Sequence, residues 1–135
     1  MDPAAPSPSS RLIDGPDSAP ATVLLAHGAG APMDSPFMAA IAAGLVQQGW
    51  RVVRFEFPYM ARQRSTGRRR APDRLPVLQE AFRQQVSLER TARPERPLIL
   101  GGKSMGGRVA SLLVDELAHP SSGAPSIFCP CGARP

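Results

Sequence analysis

Residues 101–107 read GGKSMGG and follow directly on the apolar run PLIL of residues 97–100. Two chemistries share these letters. G-K-S belongs to phosphate-binding loops, whereas G-x-S-x-G belongs to a serine nucleophile carried on a tight strand-to-helix turn. A phosphate loop of the form G-x-x-x-x-G-K-[ST] needs a glycine five positions before the one that precedes lysine. Five positions back from Gly102 is Pro97, and residues 97–101 read as the strand itself. No loop of backbone N–H groups is left to wrap a phosphate.

The turn reading fares better, although an ordinary strand-to-helix turn is its bland competitor. Gly102 and Gly106 stand two positions either side of Ser104. Their missing side chains let the chain reverse sharply, and Gly107 leaves room for the helix to approach its neighbours. Ser104 would then stand at the tip, beside a helix N-terminus whose free N–H groups and dipole favour a developing negative charge. The amide of Met105, just after the serine, is the first oxyanion donor such a turn supplies. A second glycine-rich turn, His27-Gly28-Ala29-Gly30, follows the apolar run ATVLLA of residues 21–26 and is of the type that supplies the second donor. Glycine turns at the ends of two parallel strands converge on one edge of a sheet.

The elements that must position these turns are legible in outline. ATVLLA suits a strand covered on both faces. Ser35-Pro36 reads as an N-cap followed by proline at the first helical position, and Met38, Ile41, Ala42 and Leu45 recur on one face before Gly49 ends the helix. Residues 51–57, RVVRFEF, form a second strand stopped by Pro58, with an arginine-rich loop behind it. Residues 75–92 allow a helix through Leu75, Leu78, Phe82, Val86 and Leu88, with Pro76 in its first turn. A third strand, residues 98–101, precedes the serine turn, and Val109, Leu112, Leu113 and Leu117 mark the buried face of a helix ending near His119-Pro120. Strand and helix in alternation give an α/β fold with a parallel sheet of three or four strands flanked by helices.

With the segments LLAHGAGAPMDSPFM, VVRFEFPYMARQRSTGRRR and LILGGKSMGGRVAS in order, the chain resembles an α/β-hydrolase from about residue 21 to 118. More narrowly it is similar to a small group of predicted bacterial hydrolases related to the hydrolase-like domain of an NSL-complex regulatory subunit. The resemblance implies Ser104 as nucleophile, Met105 and Ala29 as oxyanion donors, and His27, Gly28, Gly102 and Gly106 as residues that support the site. It implies no substrate beyond a small-molecule ester, thioester or amide, and the reading requires neither cofactor nor metal.

The relay half of such a site is missing. The family order is nucleophile, acid, histidine. Downstream of Ser104 stand one aspartate, Asp115, and one histidine, His119, both on or at the end of the helix that begins at the turn. At 1.5 Å per residue they lie roughly 15 and 20 Å along it. They read as a helix-end acid and a histidine suited to the helix dipole. His27 is the one remaining imidazole, a supporting residue by resemblance and a substitute base as the alternative. A weak or inactive serine hydrolase is therefore expected, against a non-catalytic hydrolase-like binding or scaffold domain.

Composition bounds the rest. At 135 residues with 16 prolines and 12 glycines, one modest domain is expected. Residues 1–20 are Pro/Ser-rich and read as a flexible leader, 21–119 as the N-terminal part of a hydrolase domain, and 120–135 as an irregular tail whose abrupt change of character suggests truncation or a shifted frame. No basic, apolar signal opens the chain and no run nears the roughly 18 apolar residues of a membrane span, so a cytoplasmic protein is expected. The net charge of +5 comes from arginine, since Lys103 is the only lysine, and six arginines crowd into residues 60–74. Only Tyr59 stands near them for stacking, which argues against nucleic acid and leaves a solvated loop or one that attracts anionic substrates. Cys129 and Cys131 lack further ligands spaced for zinc.

Overall fold

Three largely buried runs build the middle of a sheet, TVLLA, LILGG and RVVRF, the last carrying two arginines. The computed structural model describes residues 11–118 and the backbone of residues 127–128. Its elements are β1 (Leu12–Asp14), β2 (Thr22–Ala26), α1 (Pro36–Gln47), β3 (Arg51–Phe55), α2 (Pro58–Thr66), α3 (Leu75–Ala92), β4 (Leu98–Gly102), α4 (Met105–Leu117) and β5 (Ile127–Phe128). The sheet order is β1-β3-β2-β4-β5. Strands β3, β2, β4 and β5 run parallel, as expected for a series of strand–helix units, and β1 adds an antiparallel edge. Register places Ala26 of β2 beside Phe55 of β3 and Gly102 of β4, so the loops after all three strands leave from one edge.

Successive residues of a strand point to opposite faces, and the core divides accordingly. Leu24 and Ala26 join Val53, Phe55, Leu98 and Leu100 under α3 (Leu78, Phe82, Val86) and α4 (Val109, Ala110, Leu113). Val23 and Leu25 join Val52 and Ile99 against Met38 and Ala42 of α1. The result is a three-layer α/β arrangement. Helix α1 begins as its sequence suggests: Ser35 Oγ accepts from the Met38 amide at 3.4 Å, and Pro36 occupies the first turn.

Several expectations change. Residues 12–14, inside the segment read as a flexible leader, form β1, and Arg54 fixes Asp14 at 2.9 Å. Three residues carry no periodicity, so only the partner strand defines them. Pro58 ends the second strand region as expected, yet it also opens α2, which takes up the first part of the arginine-rich segment; strand β3 itself stops at Phe55. Gly67, at φ 71°, closes α2 with its amide on the Gln63 carbonyl at 2.8 Å. Residues 127–128, inside the tail read as irregular, pair with β4. Ile41, Leu75, Leu88 and Leu112 are exposed, because each helix buries a narrower stripe than its apolar pattern offers. His119, Cys129 and Cys131 lie outside the described residues.

At the edge where the parallel strands begin, a buried ion cluster closes the sheet. Arg51 Nη1 donates to Glu89 Oε1 at 2.6 Å and to Thr22 Oγ1 at 3.2 Å, and Arg11 pairs with the other Glu89 oxygen. The Arg51 and Glu89 side chains are both almost fully buried.

Candidate functional site

The serine turn sits at the opposite edge. Ser104 is the N-cap of α4 with φ 52° and ψ −111°, the one non-glycine residue of positive φ among the described residues. Such a conformation costs of order 1–3 kcal/mol and persists only where its surroundings impose it. Here they do. A Cβ on Gly102 would lie 2.6 Å from Gly106 C, 2.8 Å from Gly107 N and 2.9 Å from Ala26 O. One on Gly106 would meet His27 O, and Ala26 O at 2.8 Å. The strand-to-helix reversal is thus pressed against the end of β2, and any side chain at either glycine would separate them.

Three backbone bonds hold the turn: Lys103 N to Ala26 O at 3.0 Å, Gly106 N to Lys103 O at 3.0 Å and Arg108 N to Ser104 O at 3.0 Å. Ser104 is exposed, and its hydroxyl caps no helix amide. The amides of Met105 and Ala29 donate to no acceptor among the described residues. Lys103 Nζ lies 4.8 Å over the Phe37 ring, and the residues before it belong to β4 and form no phosphate-wrapping loop.

The glycine loop after β2 is pinned from beneath. His27 is wholly buried. Its Nε2 accepts from the Phe57 amide at 3.1 Å, which places the ring proton on Nδ1, donated to Gly28 O at 2.6 Å. Burial, the largest influence, holds its pKa below the ordinary histidine value. With both nitrogens engaged, the imidazole offers no lone pair to Ser104. Phe57 and Tyr59 pack edge-on against it.

Tyr59 is a site residue that sequence reasoning left at the margin. Its hydroxyl donates to Ala29 O at 2.9 Å and so ties α2 to the glycine loop. Burial, with a smaller effect of Asp73, pushes its phenol up to about 12. Asp73 accepts from the Tyr59 amide at 2.8 Å and so caps α2. Glu56, just after β3, accepts from the Met33 amide at 3.3 Å and from Arg64 at 2.9 and 2.7 Å, and Arg64 also reaches Asp34 at 2.7 Å. Those bonds to Arg64 keep the Asp34 carboxyl below the usual range. No local signal announces these partners, which lie 8 to 30 residues apart in sequence.

Between the loop and α2 opens a cleft of about 430 Å³ lined by Gly30, Pro32, Met60, Gln63, Arg64, Gly67 and Arg69. Asp115 stands on α4, far along the helix from Ser104. Among the described residues no cluster of His, Cys, Asp or Glu could hold a metal, and no helix is long and apolar enough to cross a membrane.

Comparison with known proteins agrees with this geometry. The serine hydrolase XC6422 of Xanthomonas campestris, described as an a/b serine hydrolase without lid, superposes with a TM-score of 0.66 at 24% identity, over 93% of this chain and 57% of that one. The thioesterase domain of NocB from the nocardicin cluster gives 0.56 at 26% identity, over 87% and 46%. YbtT, a type II thioesterase of the yersiniabactin pathway, gives 0.60 at 18%, over 89% and 47%. The chain therefore spans about half the length of these structures. No curated protein matches it. Residues 19–128 match the alpha/beta hydrolase domain family, so the serine turn, the glycine loop and the parallel sheet between them are parts of a chain that belongs to that family.

Proposed function

We propose that the chain is a serine hydrolase of the α/β class in which Ser104 is the acyl acceptor and the amides of Met105 and Ala29 receive the oxyanion. The observation that carries this reading is the enforced φ of 52° at Ser104 between two glycines that tolerate no Cβ. Backbone strain of this kind clusters at active sites and ligand clamps, and here it falls on an exposed serine at a helix N-terminus. In the reaction, Oγ adds to the carbonyl carbon of an ester, thioester or amide. The carbonyl oxygen takes the negative charge between the two amides, the leaving group departs carrying the proton that Oγ loses, and water then cleaves the acyl-serine, releasing the carboxylic acid and restoring the Oγ proton. Small-molecule acyl compounds are the substrate class, a reading supported by the two thioesterases among the structural neighbours. The narrower kinship with the NSL-related bacterial group rests on its three ordered segments, and a cytoplasmic setting fits the same reading.

Turnover by these residues alone is slow. Oxyanion donors contribute roughly 10² to 10³ each, and a serine hydrolase stripped of its triad retains about 10³ to 10⁴ over water. His27 has both ring nitrogens bound and so holds no free lone pair for the Ser104 proton. That observation favours a second reading, a hydrolase-like binding or scaffold domain. A fluorophosphonate probe separates the two. Covalent labelling of the chain, lost in Ser104→Ala, supports the nucleophile, whereas equal background labelling of both proteins supports the scaffold.

A further inference from the structure

The cleft beside the glycine loop has one wall that the nucleophile reading does not use. Gly30 and Pro32 form one side, and Met60, Gln63, Arg64, Gly67 and Arg69 the other. Its volume of about 430 Å³ falls in the range of small-molecule sites, roughly 300–1,000 Å³. We propose that this wall is an anion subsite built on Arg69, so that the acyl compound carries a phosphate or carboxylate on the part that lodges against α2. This rests on Ser104 as the acyl acceptor only for the word acyl; the anion site stands on its own residues.

The two arginines of the cleft differ in what they can do. The Arg64 guanidinium is engaged by Glu56 and Asp34 on Nε, Nη1 and Nη2, which makes it the brace that holds α2 to the loop. Arg69 is exposed, and among the described residues no carboxylate lies in ion-pair range of it or of Arg68 and Arg70. It is nevertheless presented on an anchored turn. Gly67 reverses the chain at φ 71°, the Arg68 amide donates to Thr66 Oγ1 at 3.2 Å, and the Arg70 amide donates to Gln63 Oε1 at 3.0 Å. Gln63 and Gly67 themselves line the cleft.

Charge points the same way. Residues 56–74 carry six arginines against Glu56 and Asp73, and with Asp34, which Arg64 pairs, the local excess is three positive charges on the segment that lines one wall of the cleft. A planar guanidinium matches the two oxygens of a carboxylate or phosphate, and a pocket wall strengthens the pair relative to open water. A single-stranded nucleic acid would instead need an aromatic platform. Tyr59 does not provide one, since it is buried with its hydroxyl on Ala29 O.

The test is a titration of the whole ¹⁵N-labelled chain with inorganic pyrophosphate and, separately, with glutarate, followed by amide shifts at Gly30, Gly67 and Arg69. We expect saturable shifts at these residues with at least one anion, the tighter of the two naming the phosphate or carboxylate class. Arg69→Gln should weaken binding about tenfold, a change of roughly 1.4 kcal/mol, Arg69→Lys should recover part of it, and Arg83→Gln, on α3, should leave it unchanged. The absence of saturation with both anions, or an equal loss in Arg69→Gln and Arg83→Gln, would overturn the subsite. Fluorophosphonate labelling run beside the titration keeps the two readings apart. Labelling of Ser104 without anion binding removes the subsite and leaves the nucleophile. Anion binding without labelling keeps the subsite and removes the nucleophile.

Discussion

Substituting alanine for glycine at two helical positions gives opposite results if the serine turn is packed as described. Gly44 lies in α1, exposed, with nothing within 4 Å of a Cβ placed on it. Gly106 lies in the first turn of α4, where the same Cβ meets His27 O, Ala26 O at 2.8 Å and Ala26 C at 2.9 Å. Ordinary contact begins near 3.4 Å, and all three atoms are backbone, so no side-chain rotation relieves the overlap. His27 cannot yield easily, being held through both ring nitrogens. In an open helix, glycine to alanine gains about 1 kcal/mol. Overpacking typically costs about 1–3 kcal/mol, and three backbone overlaps place Gly106→Ala at the upper end. Net of the propensity gain, Gly106→Ala should lose about 2 kcal/mol while Gly44→Ala gains about 1. At about 4 °C per kcal/mol for a domain of this size, the two Tm values should differ by about 12 °C. Thermal unfolding followed by circular dichroism reads this directly. Equal or greater stability in Gly106→Ala than in the parent chain would mean that α4 does not press on β2, and the account of the Ser104 strain would fail with it.

Two further outcomes follow from buried groups. The pKa of His27 is lower folded than unfolded, so both states are neutral above the unfolded value near 6.5, and stability there is undiminished. Below it the unfolded chain takes the proton first, and stability should fall by about 1.4 kcal/mol per pH unit until the folded-state pKa is reached; urea titrations between pH 7.5 and 5 should show this slope and lose it in His27→Gln, and an unchanged slope would place the titration elsewhere. Glu89→Gln leaves Arg51 and Arg11 without their shared carboxylate in a buried cluster, and should cost about 3 kcal/mol, read as a lower urea midpoint at constant m. A midpoint that does not move would show that the two guanidinium groups are satisfied by water or by Asp17.

How far the sequence disclosed this molecule depends on the range of the interaction that defines each part. The serine turn was legible because its requirement is local: a reversal between strand and helix needs small residues at fixed offsets, and Gly102 and Gly106 carry that need in the letters themselves. The same holds for the start of α1, where Ser35 and Pro36 act within one turn, and for β2, whose run of apolar residues states that both faces are covered. Helix α2 was not legible. Proline at 58 is equally a strand stop and a first-turn helix residue, and the segment that follows is too polar to show a buried stripe. Its fold comes from Tyr59 and Met60 entering the core, from Asp73 capping its amide and from Arg64 bridging to Glu56 and Asp34. Each of those partners depends on which strand ends the sheet brings together, and that order, β3 beside β2 beside β4, appears nowhere as a pattern. The arginine-rich segment therefore reads as undifferentiated charge in the sequence, whereas in the fold its members separate by task. Arg64 is braced between acids, and Arg69 is left unpaired among the described residues at the mouth of the cleft. A long cation takes its role from the carboxylates within about 4 Å of it, and among the carboxylates of this chain only the sheet decides which those are.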